Sequence, residues 1–313
     1  MTMRAVVIRR HGGPEVLECA EVEEPRPEPG EVVVEIQAIG INYRDVYERE
    51  GHPPAPRFPY VTGAEGAGTI AGTGERVAWA RIPGGYAQRV ALPRDRLVPL
   101  PDDLSYDLAA AALLQGMTAD YLASDSYPIQ PGDWVLVHAA AGGVGLLLTQ
   151  LARLRGGRVI GSVSTPEKAE LARSAGAEEV IGYEGFGNRV RQITGGAGVA
   201  AVYDGVGRST FLEGLRALRP LGRMILYGEA SGSPDPLDVT TLRSGSVYVQ
   251  RPTLATHTAT PEMLRERATR VFDHVRSGRL RVRIGARYPL ADARRAHEDL
   301  QRRSTTGKLL LVP

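Results

Sequence analysis

The residues whose types and spacing could do chemistry are His138-Ala139-Ala140-Ala141-Gly142-Gly143-Val144-Gly145. A short apolar run, Trp134–Val137, precedes them, and Leu146–Arg155 follows with apolar residues at helical spacing. Strand, small-residue turn and helix in that order are what a dinucleotide-binding turn requires. Small side chains let the backbone approach a pyrophosphate, and the N–H groups at the helix start point at it. On the G-x-G-x-x-G pattern Ala140 stands at the first glycine, Gly142 at the second and Gly145 at the third. One glycine is replaced, and a tight turn in any α/β domain could read this way, so the context carries the reading.

The ribose end of such a site is the next test. In NAD enzymes an Asp or Glu about 20 residues after the glycines accepts the ribose 2′-hydroxyl. Here that strand ends Ile160-Gly161-Ser162-Val163-Ser164-Thr165, with no acid before Glu167. Hydroxyls at Ser162, Ser164 and Thr165, followed by Lys168, suit a 2′-phosphate, and the missing carboxylate removes repulsion. The pattern favours NADPH over NADH. The plain alternative is that Lys168 is a solvated residue in the first turn of a helix.

Other chemistries find no residues. Zinc needs cysteine, histidine or carboxylate ligands in a cluster. The chain has one cysteine, Cys19, and six histidines (His11, His52, His138, His257, His274, His297) without ligand spacing. Metal-assisted hydride transfer is therefore not expected. No G-x-S-x-G elbow is present. The basic segment Arg294–Arg303 is interrupted by Glu298 and Asp299 and reads as a solvated face, so no nucleic-acid partner is expected.

The elements that must position these residues fall into three stretches. Residues 1–100 carry short β-like segments (Arg4–Arg9, Val32–Ala38, Gly68–Ala71, Arg76–Ala80, Tyr86–Ala91, Leu97–Pro99) between proline and glycine punctuators, as in a compact barrel. Tyr106–Leu114 and Thr118–Ser124 read as helix. From Trp134 to about residue 250 strands and helices alternate, which implies a parallel sheet with helices on both faces. Pro261–Ser277 is an amphipathic helix, Val282–Tyr288 a strand, Ala291–Arg303 a helix and Lys308–Val312 a last strand; these are expected to return to the first domain. At 313 residues there is room for two domains. A net charge of +2 gives no hint of a polyanionic or membrane partner. A single cysteine fits a reducing compartment, the N-terminal apolar run is short for a signal peptide, and no run reaches the roughly 18 apolar residues of a membrane span. A soluble cytoplasmic protein is the expectation.

Motifs spread along the chain resemble the zinc-free, zeta-crystallin-like quinone oxidoreductases of the medium-chain dehydrogenase/reductase superfamily. They are His11–Leu17, Gly40–Asp45, Gly63–Gly68, Leu113–Thr118, His138–Gly145, Asp204–Arg208, Arg251–Leu254 and Thr306–Lys308. The resemblance implies an α/β fold, with a GroES-like β-barrel catalytic domain (1–120 and 253–313) split around a Rossmann doubly wound parallel-sheet domain (121–252). Where zinc-dependent relatives carry ligands, this chain has Asn42, Ala64 and Gln115. By the same resemblance a catalytic cleft is lined by Asn42, the Tyr43–Tyr47 segment and Thr118. Ala140, Gly142, Gly143, Val144 and Gly145 would lie at the pyrophosphate. Ser164, Lys168 and Tyr183 would hold the 2′-phosphate. Arg208 and Arg303 are candidate cofactor contacts, and Tyr227–Ala230, including Gly228, would pass beside the nicotinamide. Two features depart from the family pattern: Gly72–Val77 is shortened, and a tyrosine often found soon after Tyr47 is Pro53 here.

The implied activity is metal-free hydride transfer from NADPH to a quinone or conjugated enone. The cofactor carries the chemistry and the protein orients it. Without zinc the developing oxyanion needs hydrogen-bond donors, and Asn42 and Tyr47 are the candidates. Tyr47 reads equally well as a packing or cofactor-stacking residue. Rival readings are an enone or enoyl-thioester reductase of the same superfamily and a non-enzymatic, crystallin-like NADPH-binding protein. Gly245–Arg251 resembles the edge strand through which relatives dimerise, so a homodimer is expected.

Overall fold

The computed structural model describes Met1–Pro313. The chain divides into two compact units, Met1–Met117 with Thr258–Pro313, and Thr118–His257.

The first unit is built on a seven-stranded sheet. Its order runs Ile284–Pro289, Lys308–Val312, Glu31–Ile41, Glu65–Ile70, Arg76–Ala80 and Val98–Pro99, with Arg89–Pro93 also paired to Glu31–Ile41. A smaller sheet joins Glu18–Glu23, Thr2–Ile8 and Tyr60–Val61. The last strand enters antiparallel to Glu31–Ile41, pairing Leu309 with Ile41 and Leu311 with Ile39. Its three consecutive leucines are all buried, because a strand with neighbours on both edges and cover on both faces needs no polar alternation. That is how the end of the chain rejoins the domain the beginning started. Ile8, Val34, Ile36, Ile39, Trp79 and Leu92 fill the space between the sheets.

The second unit is a six-stranded parallel sheet ordered Glu179–Ile181, Arg158–Ser162, Trp134–Val137, Val199–Asp204, Leu218–Leu226, Tyr248–Gln250. The order reverses at Trp134–Val137, so the crevice outside its carboxyl end is a topological switch point, where α/β sheets bind ligands. All six residues of Val199–Asp204 are buried, as a central strand covered by helices requires.

Some local expectations change. Tyr106–Tyr121 is one unbroken helix. Gly116 does not end it, because the missing side chain makes room for Val271, which a Cβ would meet at 2.5 Å. A π-helical turn, Leu122–Ser126, follows. The segment starting at Tyr86 pairs as a strand only from Arg89, since the Tyr86 carbonyl turns to accept from Val6 at 2.8 Å. The strands Glu18–Glu23 and Tyr60–Val61 carry no clear alternation of large apolar residues.

A directed line of hydrogen bonds crosses the interior of the first unit. Arg49, fully buried, donates from Nη1 to His297 Nδ1 at 3.1 Å. An arginine can only donate, so His297 carries its proton on Nε2 and donates to the Tyr86 hydroxyl at 2.9 Å. Tyr86 then donates to Asp45 Oδ2 at 3.1 Å. Burial, with the Arg49 charge added, pushes His297 down to about 3. Burial raises Asp45 to about 6, against the opposing Arg44 charge.

The unfolded chain takes a proton on this histidine near pH 6.5 that the folded chain refuses until about 3. Its contribution to stability is therefore present above pH 6.5 and is lost as pH falls between those values, at up to about 1.4 kcal/mol per unit. Asp45 acts with opposite sign, because the folded state takes its proton first; its contribution grows as pH falls from about 6 to the unfolded value near 4. Replacing His297→Gln removes the first effect and keeps the second. Urea unfolding at pH 7 and pH 5 should show the wild type's advantage over the variant shrinking at the lower pH; an unchanged gap would mean that His297 is not held neutral.

Candidate functional site

In the second unit the strand Trp134–Val137 runs straight into the glycine turn. Gly142 is extended and caps the helix Gly143–Leu154 without any side-chain hydrogen bond. The first N–H groups of this 12-residue helix are thus left uncapped by side chains, which suits an anion at the positive end of the helix. A Cβ on Gly145 would lie 2.3 Å from the Ala139 carbonyl oxygen and 2.8 Å from Ala140 Cα; only glycine allows this close approach. Ala140, at the first glycine position, is accommodated from the next strand. Its methyl would be 2.9 Å from a Cβ on Gly161, so the glycine across the sheet supplies the missing space.

At the ribose end the strand Arg158–Ser162 gives way to Val163, which is buried, and Ser164, which is exposed. Ser162 is not available to a ligand: it is fully buried and its hydroxyl lies 2.7 Å from His138 Nδ1. Burial drives His138 down to about 4, against the charge of Asp204, so it is neutral. Thr165 caps the following helix, Pro166–Ser174, accepting from Lys168 N at 3.3 Å. Ser164 and Lys168 are left, with Nζ 3.5 Å from Ser164 Oγ. Tyr183 joins them through the sheet, because Val163 N donates to Ile181 O at 3.0 Å. Its hydroxyl accepts from Ala139 N at 3.1 Å, which ties this corner to the turn. Ser164, Lys168, Tyr183 and the turn residues Ala140–Gly145 therefore lie around one end of this sheet.

Further candidates of this unit sit at the end of the neighbouring strands. Tyr227 N donates to Asp204 O at 2.8 Å, and Gly228 approaches Gly205 so closely that a Cβ would fall 2.9 Å from its carbonyl oxygen. Arg208 is exposed and donates from Nε to Ser233 O at 3.1 Å, away from Ser164 and Lys168 in sequence and in bonding. Thr118, at the C-terminal part of its helix, is buried.

The first unit brings the remaining candidates onto one short helix, Tyr43–Arg49, with Asn42 as its extended N-cap. Asn42 N donates to the Asp45 carboxylate at 2.9 Å, the helix-start arrangement of a capping box. The Tyr43 and Tyr47 rings are 5.4 Å apart. Burial raises the Tyr43 phenol above its ordinary value, and the Arg303 charge pulls it the other way; Arg303 itself is exposed. Asn42 has a committed amide. Nδ2 donates to Glu65 Oε2 at 2.8 Å and to Gly40 O at 3.3 Å, while Oδ1 accepts from Lys308 Nζ at 2.7 Å and, at 3.4 Å, from Gln115. Its two N–H groups are used inside the protein, so it is not an outward-facing donor for an oxyanion.

Lys308 and Glu65 are the residues that sequence reasoning did not single out. The ammonium is 2.5 Å from Glu65 Oε2, and the two side chains are 1% and 0% exposed. Glu65 Oε1 accepts from Leu114 N at 2.6 Å. Gly40 lets the carboxylate in, since a Cβ there would be 2.5 Å from Oε2. The motifs Gly40–Asp45, Gly63–Gly68, Leu113–Thr118 and Thr306–Lys308 thus meet at one buried ion pair. A lysine inside a last apolar strand was the available signal. No three His, Cys, Asp or Glu side chains come together as a set that could hold a metal ion.

Residues 28–102 match the alcohol dehydrogenase GroES-like domain, and residues 143–269 match a family described as zinc-binding dehydrogenase. The chain is 42% identical to a quinone oxidoreductase of Pseudomonas aeruginosa, covering 97% of each chain. Among solved structures it superposes on a mycobacterial protein complexed with NADPH (TM-score 0.96, 45% identity, 99% of this chain and 100% of that one). It superposes equally on the Escherichia coli quinone oxidoreductase complexed with NADPH (TM-score 0.96, 39% identity, 99% and 100%).

The ion pair makes a direct prediction. Lys308→Met leaves a buried carboxylate without its cation and should cost about 3–5 kcal/mol, whereas adding Glu65→Gln should recover most of the loss. Denaturant unfolding at neutral pH measures both; a single-variant cost below about 1 kcal/mol would contradict a charged, dry pair.

Proposed function

This chain belongs to the quinone oxidoreductase family of the medium-chain dehydrogenase/reductase superfamily, and on that premise we propose that it reduces quinones, or similar conjugated carbonyls, with NADPH and without a metal. The observation that carries the reading is the pairing of an uncapped glycine-turn helix with an acid-free strand end bearing Ser164 and Lys168. Bound NADPH supplies the hydride, the balance being quinone + NADPH + H⁺ → hydroquinone + NADP⁺.

The residues divide the work by what they can donate. The N–H groups of Gly143, Val144 and Gly145 receive the pyrophosphate, with Ala140 and Gly142 shaping the turn. Lys168, Ser164 and Tyr183 receive the 2′-phosphate, a set of cationic and hydroxyl donors with no carboxylate at Val163 to oppose it. Gly228 and Thr118 are assigned to the nicotinamide end, and Tyr43, Arg303 and Arg208 to the rim of the cofactor. Tyr47 is the hydrogen-bond donor assigned to the acceptor oxygen. Asn42 acts through others: it caps the helix that carries Tyr43 and Tyr47, and is a positioning residue.

The strand Tyr248–Gln250 ends the six-stranded sheet, with Tyr248 55% and Val249 40% exposed. An apolar free edge of this kind favours pairing with a second copy, and a homodimer would read as twice the 33.7 kDa chain mass by light scattering. No helix is long and apolar enough to cross a membrane, and the one cysteine is an exposed free thiol, which suits the reducing cytoplasm; a fluorescent fusion would locate it.

The activity is tested by NADPH oxidation against a panel of quinones, enones and enoyl thioesters. Turnover of quinones is expected, and NADPH binding without turnover of any acceptor would favour the non-enzymatic reading. Lys168→Ala should weaken NADPH by about tenfold or more while leaving NADH nearly unchanged; equal weakening of both would move the 2′-phosphate elsewhere. Tyr47→Phe should lower kcat by roughly tenfold to a hundredfold if the phenol stabilises the oxyanion. Unchanged kcat and KM over several quinones would reduce Tyr47 to a packing role.

A further inference from the structure

His138 is a buried titratable group that the proposed chemistry does not use. It follows the strand Trp134–Val137 and opens the small-residue turn, its backbone N–H donating to Tyr203 O at 3.0 Å. The side chain is fully buried, and burial holds it neutral. It therefore neither touches a ligand nor brings charge to one, and any effect on the site must pass through its neighbours. Ser162 Oγ lies 2.7 Å from Nδ1 and has no other partner. The hydroxyl thus donates to Nδ1 and the ring hydrogen sits on Nε2; the reverse arrangement would leave two buried groups unpaired. Nε2 is buried and has no hydrogen-bond partner.

An apolar pair of similar volume would fill the places of His138 and Ser162 with little loss, and would remove the orphan Nε2. Packing alone therefore does not account for an imidazole there. Phe186 meets the ring edge-on, at 4.7 Å and 79°. Tyr183 lies 20° from parallel with it, the centroids 6.0 Å apart, within the range of ring–ring contact. Tyr183 is in turn bonded to the turn, its hydroxyl accepting from Ala139 N at 3.1 Å. Ala139 has φ +50°, a conformation that a residue with a side chain holds only when its surroundings impose it. Its carbonyl accepts from Gly142 N at 2.8 Å, so the strained residue is gripped on both sides. Tyr183 is thus fixed at two points, by its ring against His138 and by its hydroxyl against Ala139.

We propose that His138 is a positioning residue for coenzyme choice: held by Ser162, its ring sets the Tyr183 phenol where it meets a 2′-phosphate, and so favours NADPH over NADH. The inference rests on the assignment of Ser164, Lys168 and Tyr183 to the 2′-phosphate. It adds a buried layer behind that corner, in which a serine orients a histidine and the histidine orients the tyrosine.

The measurement is the ratio Kd(NADH)/Kd(NADPH) by calorimetric titration, with Tm recorded for each protein. The double variant His138→Leu/Ser162→Ala replaces a bonded polar pair by an apolar one of similar volume. Its Tm should be unchanged or raised, yet the ratio should fall about tenfold, through NADPH. Ser162→Ala alone keeps the ring but releases its plane, and should lower the ratio about threefold; it is the milder variant should the double one not fold. Tyr183→Phe should lower the ratio about tenfold by itself, and adding it to the double variant should lower it no further, because both act by one route. An unchanged ratio in the folded His138 and Ser162 variants would overturn the proposal. Equal weakening of both coenzymes would overturn it too, since a slack turn alone gives that result. Losses that multiply when Tyr183→Phe is added would overturn it by showing that His138 acts without the phenol. Lys168→Ala separates this inference from the reading beneath it. A preference lost in Lys168→Ala but kept in the His138 and Ser162 variants would leave the reading standing and remove the inference. A preference kept in Lys168→Ala but lost in the others would support the inference and move the cation's role elsewhere. A wild type that binds the two coenzymes alike would overturn the coenzyme reading, and this inference with it.

Discussion

The first unit depends on one buried ion pair. Lys308 and Glu65 meet at 2.5 Å with almost no exposure, in an interior where an unpaired charge is far more costly than an unpaired amide. Neither charge is tolerable alone, so each fixes the other. The strand Lys308–Val312 must lie in register against Glu31–Ile41 for the ammonium to reach Asn42. Glu65 must enter past Gly40 to accept from Leu114. Four separated pieces of chain are therefore held to one arrangement by a requirement of charge neutrality, and apolar packing around Trp79 and Ile39 fills what remains. A buried pair of this kind contributes specificity of arrangement more surely than net stability.

The second unit uses close approach where the first uses charge. Its turn is formed by what is absent: side chains at Gly145 and Gly161, and a side-chain cap on the helix Gly143–Leu154. Helix starts are ordinarily capped by Ser, Thr, Asp or Asn, and Thr165 and Thr260 do so for two other helices of this chain. Leaving the glycine-turn helix uncapped keeps its N–H groups for an anion. Neutral His138 beneath the turn, bonded to Ser162, adds no cation of its own.

Much of this was legible in the residues. The alternation of strands and helices from Trp134 onward, the acid-free end after Ile160 and the small-residue turn are local patterns, and local patterns survive in a sequence. Ala140 looks like a lost glycine until its partner Gly161 is placed across the sheet, a relation 21 positions away in the chain that no periodicity records. Asn42 was readable as a polar residue near the chemistry, but the engagement of its amide by Glu65, Gly40 and Lys308 depends on contacts 23 and 266 residues distant. The gap between the helical readings Tyr106–Leu114 and Thr118–Ser124 closes for the same reason, because Gly116 packs against Val271. What sequence conceals is tertiary override, where a distant side chain decides the local outcome.

The helix Tyr43–Arg49 joins these themes. Seven residues are too few to form a stable helix on their own, so its place must come from outside. Asp45 and Arg49, four apart, share its buried face, one bonded to Asn42 N and Tyr86, the other to His297 and Gln301. Tyr43 and Tyr47, also four apart, share the partly exposed face, with Arg44 and Glu48 displaced by one position. The inner residues cannot change without stranding a buried polar group. Of the outer ones Tyr43, Arg44 and Tyr47 are partly exposed, while Glu48 is buried and accepts from the Tyr60 and Thr62 hydroxyls. The helix thus separates, at a spacing of one residue, buried anchors that fix its place from side chains that are partly exposed, and on that outer side Arg44 has a buried Nη1 with no hydrogen-bond partner.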